Sequence, residues 1–330
     1  MQILKRSILI SGILAMSVAC GPDAETKKLM EQARSVFGTL PDRMPGSEKD
    51  TAELIKLGEL LYDDKRLSVN DQQSCASCHI IKGGKAGVDN LRVSPGALPG
   101  TEGNRNSPTV LNAGFHFVQF WDGRAADLIE QAKGPILNPV EMGMPDEKAV
   151  VEKLKKIPEY VDLFAKAFPA EKDSLTYHNI AVAIASFERT LRTSDRFDDF
   201  QKGKASALNA EERAGLKAFM DAGCTTCHSG NLLGGRMFQK MGLVNAYDSK
   251  DKGRYDVTKK DSDLYVFKVP SLRNIALTAP YFHDGKAATL EDAVRQMAHL
   301  QLGKTLSDAE VQSIVAFLGS LSDTKLAPAK

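Results

Sequence analysis

Apolar residues recurring at helical spacing, two Cys-x-x-Cys-His motifs and one internal repeat predict an all-α fold in two similar halves. Strand patterns are scarce. The chain of 330 residues exceeds what one hydrophobic core needs, and 42% apolar content is ordinary for a globular protein. Lys and Arg total 43 against 42 Asp and Glu, so no basic field for nucleic acid and no acidic tail arises. No nucleic-acid partner is expected, and a charged partner must be met by a local patch.

The first twenty residues stand apart. Lys5 and Arg6 precede the apolar stretch Ile8 to Val18, which ends in Ala19-Cys20, the layout of a secretory signal. Two readings of Cys20 remain open: a lipidated cysteine tethering the protein to a membrane face, or simple cleavage nearby. Ser17 stands where a Leu is usual before a lipidated cysteine. Either way the mature protein is expected to be exported, and no later segment is long and apolar enough for a transmembrane helix.

The first helix is expected over 52–61, where Leu54, Leu57, Leu60 and Leu61 share a face. Cys75-Ala76-Ser77-Cys78-His79 follows. In such a motif the thiols take the two vinyl groups of a c-type haem, and the adjacent His supplies an iron ligand. Further helices are expected over 125–132, 147–157, 160–168 and 179–191. The second half repeats the plan, with a helix over 214–220 behind the cap Asn209 and Glu212, then Cys224-Thr225-Thr226-Cys227-His228. Helices over 290–299 and 309–321 complete it. A disulfide or a four-cysteine zinc site is the competing use of these thiols, and neither explains the His that follows both pairs. Segments 83–108 and 229–270 are rich in Gly, Pro and Asn, as expected where haem fills much of each core. The prediction is two cytochrome c-like domains, 28–193 and 194–330, joined near 193–200.

Laying Pro108 on Pro270 pairs Asn112 with Asn274, Phe120 with Phe282, Asp122 with Asp284 and Gly123 with Gly285, and gives eight identities in twenty-eight positions. The copies differ where it matters. Met297, on the helix expected to cover the second haem, is a candidate thioether ligand opposite His228, a pairing that raises the reduction potential and suits electron transfer. Core packing is the alternative for Met297. Its counterpart is Pro135, which has no donor for iron, so the first haem is expected to keep a vacant face where a small oxidant can bind. Gln131 replaces Ala293, and Glu141 follows the Pro135 break; a carboxylate there can move a proton between the oxygens of a bound peroxide. A solvated loop Glu and a surface Gln are the plain alternative. Trp121, the one tryptophan, stands where the second copy has His283, and offers either an electron route between haems or simple packing.

Both haem motifs, Gln119-Phe120-Trp121-Asp122-Gly123-Arg124-Ala125, Asn138-Pro139-Val140-Glu141-Met142, Pro270-Ser271-Leu272-Arg273-Asn274 and Pro280-Tyr281-Phe282-His283-Asp284-Gly285 together resemble the bacterial dihaem cytochrome c peroxidases, from about residue 50 to the end. The resemblance implies reduction of hydrogen peroxide to water at the first haem, with electrons entering the second from a small cytochrome c or a copper protein. It implies His79 as proximal ligand of the peroxidatic haem, and His228 with Met297 as ligands of the other. Trp121 matches the family's bridging tryptophan, while Gln131 and Glu141 match its distal polar pair. It also implies a calcium ion between the domains at Asn106, Thr278 and Pro280, with carbonyl oxygens from the last two, and a homodimer. One departure stands out. Many members carry a His in the loop after the first haem motif that blocks the oxidised iron, and residues 93–100 here contain none. The first haem is therefore expected to be open without prior reduction. Rival readings are a dihaem enzyme that oxidises side chains of a partner protein, against which Met297 counts, and a non-enzymatic dihaem electron shuttle, against which Pro135 counts.

Overall fold

The computed structural model describes residues 22–326. Cys20 and the secretory signal lie outside them. The chain runs through α1 (Ala24–Val36), α2 (Ala52–Asp63), the short α3 (Cys75–Cys78), α4 (Leu128–Leu137), α5 (Glu147–Lys155), α6 (Pro158–Ala167) and α7 (Tyr177–Glu188). It continues through α8 (Arg196–Gln201), α9 (Ala210–Ala222), β1 (Phe238–Lys240), α10 (Tyr255–Thr258), β2 (Val266–Lys268), α11 (Leu290–Leu302) and α12 (Asp308–Gly319). The strands form one antiparallel pair. Among the described residues no helix is long and apolar enough to cross a membrane.

Two cores carry the fold. The first joins Leu57 and Leu61 of α2 to Ile136 of α4, Leu154 of α5, Phe164 of α6 and Ile180 of α7. The second joins Leu216 and Phe219 of α9 to Ala293 of α11 and Ile314 and Phe317 of α12. In both, the helix that leads into Cys-x-x-Cys-His crosses the last helix of its half at a glycine. A Cβ on Gly58 would strike the Ala183 carbonyl and the Phe187 side chain; one on Gly215 would strike Ser313 and Phe317 in the same way. Only a residue without a side chain allows backbones so close.

The repeat is equally visible in its hydrogen bonds. Gln119 N–H donates to the Ala125 carbonyl and Tyr281 N–H to that of Ala287, both at 2.8 Å. Phe120 and Phe282 both take left-handed φ, of 66° and 71°, as do Gly123 and Gly285. Asn112 and Asn274 each accept a backbone N–H through Oδ1, from Thr193 and Asp323. Residues 125–126, expected to open a helix, instead belong to this tight turn, and α4 begins at Leu128 because Asp127 caps it through the Glu130 N–H.

Helix α1 lies in the second core, with Leu29, Met30 and Ala33 packed beside Phe197 and Phe219, although residues 28–37 fall in the first domain of the expected division. Its Arg34 ties down by donating to the Gln201 carbonyl. The stretch expected as a connector is likewise part of the second core: fully buried Arg273 bridges Asp195 at 2.5 Å and Asp198 at 2.9 Å.

Candidate functional site

The second Cys-x-x-Cys-His opens onto a deep, mainly apolar cavity. Cys224, Cys227 and His228 line it together with Met297, Phe282, Leu318 and Trp121. His228 Nδ1 lies 2.9 Å from the Leu233 carbonyl, which can only accept, so Nδ1 carries the proton and Nε2 keeps its lone pair. Burial lowers the His228 pKa and favours that neutral ring. Two free thiols, an oriented imidazole and a thioether around one apolar cavity fit a c-type haem.

The first motif has the same parts. Its thiols are free, and burial pushes Cys78 up to about 11 and Cys75 higher still. The Tyr62 hydroxyl donates to the His79 carbonyl at 2.6 Å and fixes the turn. His79 is buried and its pKa lowered by that burial, while the backbone at Gly87 and Pro108 acts in the opposite sense. Its Nδ1 finds no partner within hydrogen-bond limits. A buried imidazole so placed beside two thiols fits a ligand to an iron atom.

Later in the same half, α4 contains Pro135 near its end, and the chain turns back through 138–143, with Met142 N–H bonded to the Pro135 carbonyl and Gly143 N–H to that of Asn138, to hold Glu141. Burial raises the Glu141 pKa; Arg124 and the Asn138 side chain pull it back. Arg124 itself is stacked 3.4 Å over the Phe120 ring and bonded to Asp122. Glu141 also acts electrostatically on Cys78, which puts its carboxyl on the side of the first motif. Gln131 is half-buried on α4, and among the described residues its side chain makes no hydrogen bond to Glu141. The segment 93–100 is clamped over this loop, with Ala97 N–H donating to the Glu141 carbonyl at 2.6 Å and Gln73 Nε2 to the Pro95 carbonyl.

Trp121 lies on the wall of the second cavity. Its Nε1 donates to the Asn106 carbonyl at 2.9 Å, and its ring meets His283 edge-on at 6.4 Å. Phe120, one residue earlier, reaches back to Gly134 of α4. Asn106, Thr278 and Pro280 each line the second cavity, and the Asn106 side chain donates through Nδ2 to the Leu91 and Arg92 carbonyls.

A family model for di-haem cytochrome c peroxidase matches residues 52–206, and one for cytochrome c matches 212–322. The cytochrome c551 peroxidase of Pseudomonas aeruginosa is 47% identical over 327 residues, covering 96% of this chain and 92% of that protein. The chain belongs to the di-haem cytochrome c peroxidases. That of Nitrosomonas europaea is 46% identical over 83% of this chain and 81% of its own. A crystal structure of a MauG-like protein associated with microbial copper homeostasis superposes with a TM-score of 0.76 at 29% identity, covering 88% and 95% of the two chains. The protein is thus an oxidoreductase acting on peroxide, with two haems in two cytochrome c-like units.

Five side chains of this peroxidase were given no functional role in the reading of its sequence. Arg124 faces Glu141, and Arg273 closes a buried ion pair beside the second cavity. Lys268 and His116 bond to each other on that cavity's wall. Glu188, at the end of α7, is buried near Cys75 with Oε2 unpartnered, and burial raises its carboxyl to about 8. The crossing-helix correspondence sets Glu188 against Leu318, so a signal existed: one acid closing the apolar run Ile180 to Phe187.

Proposed function

We propose that peroxide is reduced in the first pocket and that electrons enter through the second. The observation that carries this is the pairing of Pro135 with a buried carboxyl, Glu141, in the copy that lacks a counterpart of Met297. Bound haem supplies the iron at which the peroxide O–O bond is reduced and the electrons are stored. His79 would hold it in the first pocket through Cys75 and Cys78, and His228 with Met297 in the second through Cys224 and Cys227.

Glu141 takes the proton from one peroxide oxygen and returns it to the other. Burial raises its pKa and Arg124 opposes that rise, so neither effect alone fixes the proton that the group has to exchange. Gln131 orients the substrate from α4. Trp121 spans the seam between the pockets, held by Asn106. Two protons are consumed for each peroxide, giving two waters, and the two electrons come from outside the chain. A small cytochrome c or a copper protein delivers them. Calcium sits at Asn106, Thr278 and Pro280, where the amide and carbonyl oxygens suit a hard cation and where one ion would brace the seam that holds Trp121. The protein works in the periplasm as a homodimer, and a lipid on Cys20 would tether it to a membrane face.

No histidine lies in the clamped segment 93–100, so the first pocket accepts peroxide without prior reduction. The test mixes fully oxidised, calcium-loaded protein with hydrogen peroxide and a reduced small cytochrome c. Full rate from the first turnover is expected. A lag abolished by reducing the second haem would overturn the open pocket, and silence even then would favour oxidation of a partner protein.

A further inference from the structure

The two copies of the repeat meet each other across the seam, and they do so symmetrically. Asn106 N–H donates to the His283 carbonyl at 2.8 Å, and Lys268 N–H donates to the Trp121 carbonyl at 2.7 Å. In the register that lays Pro108 on Pro270, Asn106 corresponds to Lys268 and His283 to Trp121, so these are one contact seen twice. Trp121 and His283 touch where the halves cross. The same register carries Thr278 onto His116. Two of the three residues proposed for calcium therefore have mates on the opposite side of the seam, and those mates are Lys268 and His116.

On that side the chain carries its own cation. Lys268 Nζ lies 2.8 Å from His116 Nδ1, both side chains are buried, and both line the cavity of Cys224 and His228. Among the described residues no carboxylate comes within ion-pair distance of Lys268. Asp122 is the acid acting on it through space, and Asp122 is already engaged by Arg105 and Arg124. His116 Nε2 has no partner. Burial pushes Lys268 down to about 7, so an ammonium here calls for an anion that the chain does not provide. Haem brings two carboxylates into the cavity that both groups line.

We propose that the Lys268 ammonium, oriented by His116, is a built-in counterpart of the calcium ion across the seam and holds a carboxylate of the haem carried by Cys224 and Cys227. The counterpart relation rests on the proposed calcium site; the carboxylate contact does not. A fixed positive charge at the haem edge favours the electron-richer ferrous form, so Lys268 acts with Met297 in keeping this haem easy to reduce.

Spectroelectrochemical titration of the haem-loaded protein tests the contact. Lys268→Met and Lys268→Gln should each shift the reduction equilibrium of the second haem about tenfold toward the oxidised form, about 59 mV for one electron, and leave the first haem unchanged. Lys268→Arg should stay near wild type. Equal potentials in all four proteins overturn the proposal. If Met and Gln fail to load the second haem while Arg loads it, the charge is needed for assembly and the proposal stands; if Arg fails too, Lys268 only fills space and the proposal falls. Calorimetry with calcium alone tests the counterpart: one ion per chain is expected in wild type and in Lys268→Met. Two ions in wild type would overturn it. No calcium binding together with a shifted potential would remove the calcium reading and leave the Lys268 contact intact.

Discussion

Glu188→Gln should make the protein more stable in alkali, by an amount that the structure bounds. Glu188 is 6% exposed, its Oε2 is unpartnered, and burial holds its carboxyl at about 8 against an ordinary 4.5, opposed only by Arg189. The folded state therefore binds this proton more tightly than the unfolded chain does. Stability from the protonated acid is fully present below pH 4.5 and is lost progressively as pH rises through 8. At about 1.4 kcal/mol for each tenfold change in proton affinity, the loss approaches about 5 kcal/mol, an upper limit that water penetration reduces. Glutamine keeps the shape and never ionises. Urea unfolding of the haem-loaded protein at pH 5, 7 and 9, followed by far-ultraviolet circular dichroism, measures the difference directly. The variant should gain on wild type by roughly 2 kcal/mol or more between pH 5 and pH 9. Parallel curves across that range would refute the reasoning and would mean that the carboxylate finds a counter-charge in the loaded pocket.

Glu141→Gln should lower peroxide turnover by about 10²-fold or more while both haem spectra stay intact, since it removes the proton carrier and keeps the side-chain volume. Met297→Leu should lower the potential of the second haem and slow its reduction by a cytochrome donor; an unchanged potential would remove Met297 from the coordination sphere. Gly58→Ala should destabilise the first half by about 3 kcal/mol, because the new methyl meets the Ala183 carbonyl and backbone cannot step aside as a side chain can. Gly215→Ala should do the same to the second half, and thermal unfolding of the two variants checks both.

Long periodic segments were legible in the sequence. Helix α2 falls where Leu54, Leu57 and Leu61 place it, although Leu60, expected on the same face, is exposed, and α9 begins at the Asn209 and Glu212 capping box. Helix α1 was missed because its charged surface leaves only Leu29, Met30 and Ala33 to signal burial, although Asp23 caps it and Glu25 suits its first turn. Ala125 and Ala126 suggested helix by propensity, yet the Gln119–Ala125 bridge and the left-handed Phe120 impose a turn. The partnership of Lys268 with His116 was invisible because each looks ordinary alone. Their pairing joins residues 152 positions apart.

The division of labour proposed for the halves lies in side chains and hardly at all in the backbone. Gly58 and Gly215, Phe120 and Phe282, Asn112 and Asn274 preserve one frame in duplicate, down to matching hydrogen bonds. Within it, each difference around the first pocket moves in one direction. Pro135 replaces the thioether of Met297, Gln131 replaces Ala293, and Glu188 replaces Leu318, while the first copy alone adds the buried carboxyl of Glu141. Gln131, Glu188 and Glu141 make the first pocket more polar, the two acids supply it with proton-carrying groups, and Pro135 removes the sulfur donor, while the second keeps a mainly apolar wall and its sulfur ligand candidate. Reducing peroxide needs protons delivered with the electrons, whereas relaying electrons is easiest where no proton has to move. An ancestral electron carrier copied twice could thus gain a peroxidase by changing a handful of side chains around one haem, with the seam at Trp121 already built to join the two.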